Sequence, residues 1–144
     1  MSYRRQQIRE AIMTRLAGVP VTLTRSRVHN WQAGELPGVA VYTLSEQSET
    51  APIDSREMTR TVTVAVEIYV GGGDGIDDEI DDLCVAVEAA MEGDDEGRFG
   101  GLVIDSILAR TTIGLVGEGE RRNGICRLEY EVEYWTPPGV PDVI

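Results

Sequence analysis

Two stretches of the chain alternate apolar and polar residues with a period of two. In Thr61–Val70, TVTVAVEIYV, the residues Val62, Val64, Val66, Ile68 and Val70 share one face. In Ile125–Trp135, ICRLEYEVEYW, Cys126, Leu128, Tyr130, Val132 and Tyr134 point one way, and Arg127, Glu129, Glu131 and Glu133 the other. Such alternation predicts half-buried β-strands, one face on a core and one in water. Between them the period changes. Ile76, Ile80, Leu83, Cys84, Val87 and Met91 form a helical stripe. Asp74 is its expected N-cap, and Asp77, Asp78 and Glu79 favour the positive end of its dipole.

The remaining elements follow from the same periods. A first helix, capped by Ser2 and running to about Leu16, carries Ile8, Ile12 and Leu16 on one stripe with Ala11 beside it. Gly18 and Pro20 end it. Strands are expected at Val19–Arg25, Gly38–Leu44, Arg56–Val70 and Leu102–Val116. In the last of these Ile107, Ala109, Thr111, Ile113 and Leu115 are in phase. Arg25–Pro37 reads as a loop or loose hairpin, and Ser45–Ser55, polar and containing Pro52, as a long mobile connection. Gly93–Gly101 reads as a loop and Glu118–Gly124 as a turn. The predicted order is α-β-β-β-α-β-β. Two amphipathic helices on one face of a mainly antiparallel, about five-stranded sheet make an α+β fold. Residues 1–136 form one domain. Residues 137–144, PPGVPDVI, form an extended tail, because Pro137, Pro138 and Pro141 cannot donate within a sheet.

Length and composition narrow the function. The chain has 144 residues, 42% of them hydrophobic, enough for one domain with its own core. Its net charge is −12, and all thirteen basic residues are arginine. A chain this acidic lacks the basic footprint of a duplex-DNA or anionic-membrane binder. No apolar run reaches the ~20 residues of a membrane span. The N-terminal MSYRRQQIRE has no apolar segment of the secretory kind, so a soluble intracellular protein is expected. Cys84 and Cys126 lie on apolar faces and read as reduced core thiols.

Reactive constellations are sparse. His29 is the single histidine and stands in a polar stretch with no catalytic spacing around it. No G-x-S-x-G nucleophile motif is present. The acidic run Asp74–Glu96 holds eleven acidic residues and no basic one, but DGIDDEIDD lacks the ligand order of a calcium loop. Gly71–Gly73 lacks the Lys-Ser/Thr ending of a phosphate loop. No catalytic residue, metal ligand or cofactor is therefore expected.

Charge is segregated instead. The first thirty residues carry Arg4, Arg5, Arg9, Arg15, Arg25 and Arg27 against Glu10 alone, a local charge of +5. Asp77 with Asp81, and Asp78 with Asp82, are like-charge pairs at i, i+4, each unfavourable by a few tenths of a kcal/mol. A partner's cations would relieve them. On the outer face of the acidic helix, small apolar Val85 and Ala89 follow Asp78 and Asp82. A head-to-tail subunit contact is expected, with Arg4, Arg5, Arg9 and Arg15 on one side and Asp78, Asp81, Asp82, Val85 and Ala89 on the other. Such heterologous contacts close into rings when the rotation permits.

The order of these features resembles the phage tail terminator family. It is carried by the short first helix and by LPGVAVYTLSEQ at Leu36–Gln47. A long strand ending VEIYV at Val66–Val70, the helix opening DDEIDDL and the closing strand LEYEVEYW complete the likeness. It spans nearly the whole chain; the arginine-rich start and proline-rich end depart from it. The resemblance implies a structural virion protein at the tail–head junction, assembled in the host cytoplasm. Subunits would form a ring, hexameric in that family, on the finished tail tube. The ring would stop tube polymerisation and offer the attachment surface for the head. Partners would be further copies of the chain, the major tail tube protein and a head–tail connector or head-closure protein. DNA would pass through the lumen without specific binding, and no membrane is involved. Ser45, Glu46, Gln47, Ser48, Glu49 and Thr50 would lie in a loop ordering against the tube or a neighbour. The alternatives are another head–tail neck ring protein, a small ligand-binding or enzymatic α+β domain, and an acidic DNA mimic.

Overall fold

A computed structural model describes residues 3–26, 29, 31–50, 57–116 and 123–141. Helix α1 spans Arg4–Leu16 and α2 spans Ile76–Glu92; the strands are β1 (Thr22–Thr24), β2 (Gly38–Thr50), β3 (Met58–Val70), β4 (Asp105–Val116) and β5 (Asn123–Thr136). They form one five-stranded sheet in the order β1-β2-β3-β5-β4. Only β1 and β2 run parallel; every other neighbouring pair is antiparallel. The α+β order expected from the periods is the one observed.

Both helices cover one face of this sheet. Ile8, Ile12 and Leu16 of α1, and Ile80, Leu83, Val87 and Met91 of α2, are buried in a single cluster. They meet Val62, Val64, Val66 and Ile68 of β3 and Cys126, Leu128, Tyr130 and Val132 of β5. The two alternating segments are the central strands. That position explains their length and regularity, since each is paired on both sides over most of its run. Gly124 of β5 lies where the first turn of α2 descends. A Cβ there would stand 2.5 Å from Ile76 and 2.9 Å from Ile80, so the absent side chain sets how closely the helix approaches.

Four expectations are corrected. Ser45–Thr50 is not a loose connection but the second half of β2, paired with Met58–Thr63 of β3. Its polar residues gave no burial signal, and pairing with a strong neighbour decided its conformation. Asp74 does not cap α2: Gly75 holds that position and no side chain caps the helix. The fourth strand begins at Asp105 rather than Leu102, because Phe99–Gly101 closes a short 3₁₀ turn. Its five in-phase positions also fail to share a face. A bulge between Leu108 and Arg110 places Ile107 opposite Glu131, on the open face, and Ile113 opposite Cys126, on the helix-bearing face. The expected cap Ser2, Arg27, residues 51–55 of the polar connection, residues 118–122 of the expected turn and residues 142–144 of the tail lie outside the described residues.

Residues 137–141 lie against the start of α1. Val140 N donates to Pro137 O at 3.2 Å, and Arg4 N donates to Pro141 O at 2.9 Å. The Leu36–Pro37 bond is cis. No helix among the described residues is long and apolar enough to cross a membrane.

Candidate functional site: the acidic helix and its surroundings

The outer face of α2 is acidic with an apolar patch. Asp77, Asp78, Glu79, Asp81 and Asp82 are all exposed, and so are Glu88 and Ala89. Val85 is 71% exposed, the most open large hydrophobic among the described residues. A β-branched residue in that position gains nothing for the monomer, since Glu or Lys would be better solvated and form helix more readily.

The basic half of the expected contact is arranged differently. Arg4 is 2% exposed. Its Nη1 donates to Trp135 O at 3.3 Å, its Nη2 donates to Leu102 O, and its guanidinium lies 5.1 Å from the centre of the Tyr134 ring. Burial pulls its pKa below the usual arginine value. Arg4 therefore joins α1 to the end of the sheet and is not open to a neighbour. Arg15 is likewise engaged inside the subunit. Its Nη1 donates to Met91 O at 3.1 Å and Glu92 O at 3.3 Å, and its Nη2 lies 2.6 Å from Asp95 Oδ2. A cation on the last carbonyls of a helix satisfies orphan acceptors and opposes the negative end of the dipole. Arg9 Nη1 donates to Thr43 Oγ1 at 2.7 Å. Arg5 keeps about a third of its side chain in water while pairing with Glu46.

Glu46 is the second polar centre. The sequence placed it in a mobile loop; the fold turns it inward, with a side chain only 9% exposed. Its Oε2 accepts from Arg5 Nη1 at 2.6 Å, Arg60 Nη1 at 3.3 Å and Tyr3 Oη at 3.5 Å, and Tyr134 Oη donates to its Oε1. Arg60 also donates to Thr136 Oγ1 at 2.8 Å and to Tyr3 Oη at 2.7 Å. Burial, followed by this carboxylate, pushes the Tyr134 phenol well above its ordinary pKa. Of the six expected loop residues, Glu46 is thus structural, and Ser45, Gln47, Ser48, Glu49 and Thr50 are exposed strand positions.

A third cluster lies on the open face. Tyr42 Oη donates to Glu67 Oε2 at 2.8 Å, Tyr69 Oη donates to Glu67 Oε1, and Arg127 Nε stands 4.0 Å from Oε2. Trp31 covers Gly38 and packs on Tyr69 with 5.2 Å between ring centres and the ring planes tilted by 39°. His29 meets the Trp31 edge at 4.5 Å, and its Nε2 lies 3.0 Å from Glu35 Oε2. The single histidine thus braces the turn that lays Trp31 on the sheet. The signal for this cluster was present in the strand alternation, which puts Tyr42, Glu67 and Tyr69 on one face; the reach of Trp31 had none.

Cys84 and Cys126 are free thiols with 3.6 Å between their sulfurs. Burial raises both pKa values, that of Cys126 to about 12. Among the described residues no three His, Cys, Asp or Glu side chains converge as metal ligands. Neither a scan against protein-family models nor a search of curated proteins finds a match to this chain.

Proposed function

We propose that the chain is a ring-forming structural subunit of a phage tail, a terminator that caps the tail tube and receives the head. The observation that carries this reading is the outer face of α2, where exposed Val85 and Ala89 sit among Asp78, Asp81 and Asp82. It has the makeup of a contact core with a charged rim. The resemblance in element order supports the same reading. Ring closure through this face needs a basic counter-surface. Arg5 and Arg9, both partly open, and the exposed Arg25 are its members within the first helix and the segment after it. Exposed ion pairs contribute ~0–1 kcal/mol each, so buried apolar area supplies the affinity and charge sets register. In this reading the work is binding and geometry, with no bond made or broken.

The test is assembly. The protein is mixed with the tail tube protein of the same genome and imaged in negative stain. Tubes of bounded length bearing a terminal ring are expected, together with their loss in an Asp78→Arg, Asp82→Arg variant that melts like the parent. Tubes that grow undecorated with the parent protein overturn the reading.

A further inference from the structure

The outer edge of β4 has no strand beside it among the described residues, because β4 ends the sheet order. Sheet edges are normally guarded by charge, proline, a bulge or brevity. On the opposite edge β1 is three residues long, and beyond it the outer half of β2 carries the charges of Glu46 and Glu49. In β4 the guard is confined to one half, where the bulge and Arg110 lie. The other half, Thr111–Val116, reads TTIGLV, six residues with no charge and no proline. Ile113 is 53% and Leu115 56% exposed, both on the helix-bearing face. They line a cleft of about 390 Å³ together with half-buried Ile76 and the exposed Asp74 and Asp77, at and just before the start of α2.

We infer that this edge is a docking site for an extended, basic segment of a different protein, which adds a strand to β4. The backbone of Thr111–Val116 supplies the hydrogen bonds, and alternate apolar side chains of the incoming segment meet Ile113 and Leu115. Its arginines or lysines meet Asp74 and Asp77. Charge selects this occupant over a second copy of the chain. Two copies joined at this edge would bring two carboxylate rims, each on a body of charge −12, against one another. The inference does not rest on the ring: it concerns another surface and is tested on the isolated protein.

The probe is a fluorescein-labelled eight-residue peptide of alternating arginine and valine, followed by anisotropy at moderate salt. Two controls carry the discrimination: the same peptide N-methylated at alternate amides, which keeps charge but cannot pair, and a glutamate–valine analogue. The parent protein is expected to bind the arginine peptide at least tenfold more tightly than either control. An Ile113→Thr, Leu115→Thr variant places strand-favouring β-branched side chains at two exposed positions, so it is expected to melt like the parent and to lose about tenfold in affinity. An Asp74→Asn, Asp77→Asn variant is expected to bind more weakly and with less dependence on salt. Equal binding of the N-methylated peptide overturns strand addition, and unchanged binding by the Thr variant overturns the site. A parent protein that dimerises in sedimentation while the Thr variant stays monomeric assigns the edge to a second copy and overturns the choice of occupant.

Discussion

Arg15 Nη2 lies 2.6 Å from Asp95 Oδ2, and this pair fastens the last turn of α1 to the loop that leaves α2. The same guanidinium donates to the carbonyls of Met91 and Glu92 and lies over the Phe99 ring at 4.9 Å. Arg15→Ala removes charge-assisted bonds from the end of a helix that lacks any basic residue in its own last turn. The expected loss is about 1–3 kcal/mol in denaturant unfolding. An unchanged midpoint would show that water replaces the guanidinium at no loss.

The pair also predicts acid behaviour. Bonds from Arg15 and from the Gly100 amide hold the Asp95 carboxyl at about 2, below the usual carboxylate range. A depressed folded pKa contributes stability above the unfolded value of ~3.9, lost as pH falls through the folded one. The Asp95 contribution should therefore fade between about pH 4 and pH 2. Asp95→Asn should flatten the acid limb of the stability profile in that window; a limb identical to the parent's would assign acid unfolding to other carboxylates.

Alkaline pH acts in the opposite sense. Burial raises Cys126 to about 12 and carries Tyr130 and Tyr134 above their ordinary range. These groups stay protonated in the folded chain while the unfolded chain releases protons from ~8.5 upward for Cys and ~10 for Tyr. The unfolded state then binds fewer protons, so stability falls as pH rises. The onset is expected near pH 9, and Cys126→Ala should delay it even though it lowers stability at neutral pH by leaving a cavity. An onset that does not move would exclude the thiol.

What the sequence revealed and what it hid differ in physical kind. The stripes of β3, β5 and α2 were legible because each element satisfies its own period and tertiary packing agrees with it. Leu83→Ala is expected to cost about 2–5 kcal/mol, since Leu83 belongs to the buried stripe. The bulge at Ala109 was invisible because one added residue changes no composition, yet it reverses the face of everything before it. The arginines of α1 were legible as a charge excess but not as internal partners. Charge counting treats every guanidinium as surface, whereas Arg4 and Arg15 find carbonyl acceptors that only the folded chain brings near.

Glu46 provides the sharpest check on that internal use of charge. It receives Arg5, Arg60, Tyr3 and Tyr134 and so gathers α1, β3 and β5 at one end of the sheet. Glu46→Ala would leave two guanidinium groups and two phenols facing a vacated, largely buried position. Removing one partner of a fully buried ion pair costs ~3–5 kcal/mol; Arg5 remains open to water, so about 2–4 kcal/mol is expected here. The loss should be specific to this end of the fold. Amide exchange should rise in the first turn of α1 and in Ser45–Thr50, and stay slow in Val64–Ile68 and Leu128–Val132. Glu46→Gln, which keeps acceptor geometry and removes charge, should fall between parent and alanine variant. A glutamine variant as unstable as alanine would mean that charge alone matters. An alanine variant within about 0.5 kcal/mol of the parent would mean that the cluster is solvated, and that α1 is held by its apolar stripe alone.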